Sequence, residues 1–182
     1  MKRISKIFSL IMLLVSLSIV CGCEKNNNDT KIDKNKQQTI LYDGNKLKAE
    51  FKIDKKIDAR ISTENDDLRT TREKAIIITE DFKIGIEEND DLSFNKYSGD
   101  FGKYKKEHKK NTDYKKAKLS DLDAFTQYYG AYIRYEAYLK VDDNYILKLN
   151  IYSTKDTEED VKKQFESQVV QDILNNISVE AK

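Results

Sequence analysis

An α+β fold, an antiparallel sheet of about six to seven strands with a middle helix and a C-terminal amphipathic helix, is what three features of this 182-residue sequence predict. Apolar and polar residues alternate at period two through most of residues 39–153, the pattern of strands with one buried face. Short clusters of Asp, Asn and Gly separate those runs at hairpin spacing. Near the C-terminus the period changes to three and four, as a helix packed by one face requires.

The elements follow in order. Residues 40–42, the turn Asp43-Gly44-Asn45 and residues 46–53 read as a hairpin with Leu47, Ala49, Phe51 and Ile53 inward. Ile57, Ala59 and Ile61 extend the alternation into a short third strand. Residues 65–74 form a charged connector, and residues 75–79 and 82–87 make two strands around Glu80-Asp81. The run Ile76-Ile77-Ile78 belongs to a strand buried on both faces. Residues 95–116 are lysine-rich, and Phe101, Tyr104 and His108 share one side of a weakly amphipathic helix. Residues 122–141 are a long β region broken at Gly130, with Ile133, Tyr135, Ala137, Leu139 and Val141 on one face and Tyr132, Arg134, Glu136, Tyr138 and Lys140 on the other. Asp142-Asp143-Asn144 turns the chain into a strand over 145–152. Asp156, with Glu159 three residues on, caps a single helix whose stripe is Val161, Phe165, Val169, Ile173, Leu174 and Ile177. Residues 177–180 are left as a tail or edge strand.

The first 38 residues have a different character. Lys2, Arg3 and Lys6 precede an apolar run over 7–20, too short for a good membrane span but suited to an export signal. The run ends Val20-Cys21-Gly22-Cys23, which resembles the lipobox of bacterial lipoproteins. The resemblance implies cleavage after residue 22, diacylation of Cys23, and attachment to the extracytoplasmic face of the cell membrane through that lipid. Residues 23–38 hold almost nothing apolar and read as a flexible tether, leaving 39–182 as one domain.

Composition then excludes several classes of function. With Lys2, Arg3 and Lys6 in the leader, 30 of the 33 basic residues face all 32 acidic ones, a net charge of −2. Finely mixed charge of that kind gives no footprint for nucleic acid. The chain's two cysteines, Cys21 and Cys23, both lie in the leader and lipobox, so the domain has no disulfide, thiol nucleophile or cysteine metal site.

The hairpin, further strands, middle helix, long hairpin and terminal helix together resemble the PsbP/Mog1 type of α/β/α sandwich found in small lipoproteins of Gram-positive bacteria. The likeness is carried by Phe82-Lys83-Ile84-Gly85-Ile86, residues 132–139, Tyr145-Ile146-Leu147-Lys148-Leu149 and Asp172-Ile173-Leu174-Asn175-Asn176-Ile177, although the Pro and Trp that often mark the type's first hairpin are missing. Members of that fold are mostly adaptors and assembly factors, which is the role the resemblance implies, although fold by itself does not transfer function.

No residue set points to catalysis, a metal or a cofactor. His108, the chain's one histidine, stands among Lys105, Lys106, Lys109 and Lys110 and reads as a surface side chain without a nucleophile. Asp90-Asp91, Asp121 with Asp123, and Asp142-Asp143-Asn144 lack a calcium-loop pattern and are expected turn residues. Asp66 to Glu73 carries two arginines able to grip an anion, but internal ion pairs explain it more simply. Five of the eleven tyrosines lie within 128–138, and Tyr132, Arg134 and Tyr138 on the polar face form an aromatic and ionic strip suited to an envelope protein or glycan. The competing reading is that a helix covers that face and the rings are packing. The expected function is therefore a lipid-anchored, non-catalytic binding or adaptor domain; the alternative is an envelope enzyme or enzyme inhibitor acting on peptidoglycan or peptides. A concave pocket with converging polar groups and shifted pKa values would favour the enzyme, a flatter exposed aromatic patch the binding module.

Overall fold

The computed structural model of the protein describes residues 36–93, 95–110 and 113–182; the leader, Cys23 and most of the tether lie outside the described residues. Among the described residues the fold is α+β, with two antiparallel sheets of three and seven strands and three α-helices. The expected single sheet of six to seven strands is thus corrected to ten strands in two sheets.

The smaller sheet begins with the predicted hairpin, β1 (Gln37–Asp43) and β2 (Leu47–Asp54), and is completed by β10 (Ser178–Ala181), which pairs with the other edge of β2. Leu47, Ala49, Phe51 and Ile53 are all buried, while Lys48 and Glu50 between them stay exposed. A carboxylate from the larger sheet holds the turn: Glu88 Oε1 accepts the amides of Lys46 and Leu47, both at 3.0 Å.

The larger sheet runs in space β3 (Arg60–Ser62), β4 (Ala75–Ile78), β5 (Phe82–Asn89), β9 (Ile146–Ser153), β8 (Arg134–Lys140), β7 (Leu122–Tyr129), β6 (Lys115–Leu119). Strand β9 therefore lies at the centre, and every one of its residues is buried. Strand β6 is a correction, because its residues Lys115 and Lys116 fall in the stretch expected to end the middle helix. That helix, α1 (Phe101–His108), is much shorter than predicted. The Lys115–Leu119 segment is polar because it is an edge strand with four of its five residues at least partly exposed, a position that tolerates lysine.

One face of the large sheet is apolar: Ile84, Ile86, Ala137, Leu139, Leu147, Leu149 and Ile151 form the main core with the inner residues of the small sheet and of two helices, α2 (Glu158–Glu166) and α3 (Gln168–Asn175). These two helices replace the single C-terminal helix predicted. The break is at Ser167, whose extended backbone (φ −64°, ψ 144°) ends α2 and whose hydroxyl accepts the amide of Val170 to cap α3. It shifts the apolar stripe by one residue, so Val170 is buried while Val169, predicted inward, is exposed. Phe165 then stacks on Tyr135 with ring centroids 4.1 Å apart. At the start of α2 the cap is Thr157, which accepts the amide of Asp160; Asp156, the expected cap, sits just before it at φ 51°.

On the opposite face α1 covers one half. Its cap Asp100 accepts the amide of Lys103, and Phe101 and Tyr104 close a second, smaller core with Leu92, Phe125, Tyr138 and Ile146. The other half of that face is lined by polar side chains and bounded by residues 69–72 of the charged connector.

Candidate functional site

Sheet register assembles the site. On the face away from the main core, Glu87, Lys148, Tyr138 and Phe125 are successive cross-strand partners on β5, β9, β8 and β7. Gly85, Asn150, Glu136 and Gln127 form the next row on the same strands. Side chains so aligned are within reach of one another without any loop having to bring them together.

Glu136 is the hub of this arrangement. Its Oε1 accepts from Arg134 Nε (3.0 Å), Arg134 Nη2 (2.7 Å) and Lys148 Nζ (3.0 Å). Its Oε2 accepts from Gln127 Nε2 and the Tyr138 hydroxyl, each at 2.7 Å. Burial alone would raise its pKa, but the Lys148 charge and the hydrogen bonds from Tyr138, Gln127 and Arg134 outweigh that and lower it from 4.5 to about 2. Burial, reinforced by the Glu136 charge, pushes the Tyr138 hydroxyl far above the usual phenol range, so it remains a donor.

A second carboxylate cluster adjoins the first. Lys148 Nζ also reaches Glu87 Oε1 (3.4 Å), and Asn150 Nδ2 donates to both Glu87 Oε1 (2.7 Å) and Glu73 Oε1 (3.0 Å). Glu73 comes from the charged connector and lies over Gly85, where any Cβ would overlap its carboxylate. The Tyr152 hydroxyl donates to Glu73 Oε1 at 2.7 Å, and Glu73 Oε2 accepts the amides of Arg69 and Thr70, which fixes the connector against the sheet.

Glu136 and its donors, together with Glu87, floor a cleft of about 590 Å³, while Glu73, Asn150 and Tyr152 lie outside its lining. Its floor holds Glu87, Gln127, Arg134, Glu136, Tyr138 and Lys148, all buried; Arg72, Tyr129 and Tyr132 stand exposed at its mouth. Tyr129 and Tyr132 stack in parallel, with centroids 5.5 Å apart and planes 9° apart, and the Arg134 guanidinium lies 5.4 and 5.0 Å from their ring centres. His108 lines the same cleft from the end of α1, packed on Tyr138 and Phe125 at 5.0 and 5.2 Å. Burial lowers its pKa despite a hydrogen bond with Gln127, so the imidazole is neutral at pH 7. Two buried polar atoms of the cleft lining, His108 Nδ1 and Thr70 Oγ1, have no hydrogen-bond partner among the described residues, nor has Asn150 Oδ1, which is fully buried outside that lining.

The three residues predicted to bind a partner all line this cleft, at different depths. Tyr132 is 62% exposed, Arg134 is 6% exposed in the floor, and Tyr138 is 4% exposed beneath α1. They form a concave site rather than a flat strip, because α1 folds over the end of the face that bears Tyr138. His108 is a correction: it is half-buried in the cleft wall, because Tyr104 and Phe125 draw that side of α1 onto the sheet. The connector also differs from a solvated loop, since Arg69 pairs with Asp156, far along the chain, and stacks on Tyr152. Of the acidic turns, Asp142 accepts the amides of Asn144 and Tyr145, Asp90 pairs with Lys46, and Asp123 with Lys105.

Glu73, Glu87, Lys148, Asn150 and Tyr152 are absent from the sequence-based site. Two signals for them existed: Lys148 and Asn150 interrupt an otherwise apolar strand, and Gly85 stands alone inside another, a mark of close approach by a neighbouring group. No protein-family model matches the chain, and neither a curated protein nor a solved structure is significantly similar to it.

Proposed function

We propose that the protein is a lipid-anchored extracytoplasmic binding domain without catalytic activity, and that its binding site is the cleft between α1 and the connector. The observation that carries this reading is the commitment of Glu136: five donors hold it ionised and in place, which suits a pre-organised binding surface and not a group that must exchange protons. Anchoring rests on the leader and Cys23, and the PsbP/Mog1 likeness on the order of hairpins and helices; helices on both faces of the large sheet agree with such a sandwich.

One observation favours a second reading, an envelope enzyme acting on peptidoglycan or peptides. The site is concave, and Glu87, Glu136 and a neutral His108 line the same wall and floor. Photo-crosslinking from position 132 in intact cells, together with assay of the purified chain for release of peptidoglycan fragments, separates the two. Reproducible neighbours without turnover support the binding domain, and turnover abolished by Glu136→Gln replaces it with the enzyme. Membrane retention unaffected by Cys23→Ser removes the anchor from the proposal.

A further inference from the structure

We propose that the cleft takes a saccharide, its ring laid on the Tyr129–Tyr132 pair and its hydroxyls donating to the cleft wall at His108 and Thr70; this rests on the reading of the cleft as a binding site. Unmet hydrogen-bonding capacity argues for it first. Two residues of the cleft lining carry side-chain atoms without a partner among the described residues: with His108 neutral and bonded to Gln127, its Nδ1 is an acceptor, and Thr70 Oγ1 can accept or donate. Buried acceptors of this kind call for donors. A fully ionised anion supplies none and phosphate near neutral pH few; the hydroxyl groups of a sugar supply many.

Charge argues the same way. Arg134 and Lys148 in the floor are matched by Glu87 and Glu136, so the deep part of the site selects for polarity and not for net charge. At the mouth the stacked tyrosines, 37% and 62% exposed, offer flat apolar faces with polar tips, the surface on which the C–H face of a pyranose rests. The volume lies within the roughly 300–1,000 Å³ of small-molecule sites. Arg69 is engaged by Asp156, whereas Arg72, exposed at the mouth, has no ion pair among the described residues. An acidic substituent on the sugar therefore gains Arg72 as a partner.

The chain's one histidine reports on the cleft wall directly. The full-length protein, labelled with nitrogen-15 histidine and held in a polyoxyethylene detergent, is titrated with chitobiose, with the N-acetylglucosamine–N-acetylmuramic acid disaccharide, with alanyl-alanine and with inorganic phosphate. Both saccharides should shift the Nδ1 resonance saturably, and alanyl-alanine and phosphate should not. Tyr132→Ala, at an exposed position, should keep the circular dichroism spectrum and weaken both saccharides by about tenfold. Arg72→Ala should weaken only the acidic one, by roughly threefold. Silence from both saccharides overturns the proposal. If alanyl-alanine or phosphate shifts the resonance instead, the saccharide is wrong and the binding site stands; if no probe shifts it and position 132 captures no neighbour, both fall.

Discussion

Strands β8 and β9 bury both of their faces, with opposite chemistry. Tyr135, Ala137, Leu139, Leu147, Leu149 and Ile151 meet α2 and the small sheet, whereas Arg134, Glu136, Tyr138, Lys148, Asn150 and Tyr152 meet one another beneath α1 and the connector. The apolar face gains free energy from every group it removes from water. The polar face loses hydration for each charge and recovers it only through complete pairing, so its net contribution to stability is small while the loss of any one partner is large. Alternation in sequence therefore tells which residues share a face, and is silent on whether that face sees water.

The comparison can be broken most sharply at Glu136. Glu136→Ala leaves Arg134 and Lys148 buried without their shared partner and should cost about 3–5 kcal/mol in urea unfolding, as much as the worst truncation on the apolar face. Leu149→Ala, on β9 facing the main core, should cost about 2–5 kcal/mol with no effect on the cleft. Parity between these two variants is the expected result; a near-neutral Glu136→Ala would show that the polar face is hydrated and not packed.

Acid provides a graded version. The folded state lowers the pKa of Glu136 from 4.5 to about 2, so it holds the proton less tightly than the unfolded chain does. The stabilisation is present above pH 4.5 and lost as pH falls towards 2, a change of roughly 3 kcal/mol that Glu136→Gln should flatten. His108 acts in the same direction at higher pH: burial lowers its pKa below 6.5, so protonation favours the unfolded chain and stability declines as pH drops below 6.5. Titration of the single imidazole by NMR checks the sign.

A smaller effect tests the seam between connector and sheet. Gly85→Ala places a methyl group against the Glu73 carboxylate and should cost about 1–3 kcal/mol, with Glu73→Ala in the same chain restoring part of the loss. Tyr132→Ala, at the exposed mouth of the cleft, should change stability by no more than about 0.5 kcal/mol. A large loss there would make the tyrosine pair a structural clamp.

Much of the strand plan was readable from local pattern. The 43–45 turn, the Ile76-Ile77 strand buried on both faces, and the face assignments of Ile133 to Val141 followed from period-two spacing and turn residues. Strand β6 was hidden because Lys115-Lys116-Ala117-Lys118 has the composition of a solvated helix, and edge pairing to β7 overrides that preference. The split at Ser167 was hidden because Val169 and Val170 serve a helical stripe equally well, and only packing on β2 and Tyr135 chooses between them. In the cleft, Tyr132, Arg134 and Tyr138 were found as neighbours on one strand and its approach, which is local information. Their neighbours Glu73, Glu87, Lys148, Asn150 and Tyr152 are joined by hydrogen bonds spanning 61 to 79 residues, a separation no local pattern spans.

The sequence by itself determined the α+β class, the alternating faces of the strands and the absence of cysteine from residues 24–182, since each follows from spacing or composition within a few residues. The tertiary structure alone decided that the polar face is covered, that Glu136 is ionised at its centre and that His108 turns inward. Burial, pairing and pKa depend on which distant strands, helix and connector arrive on the other side.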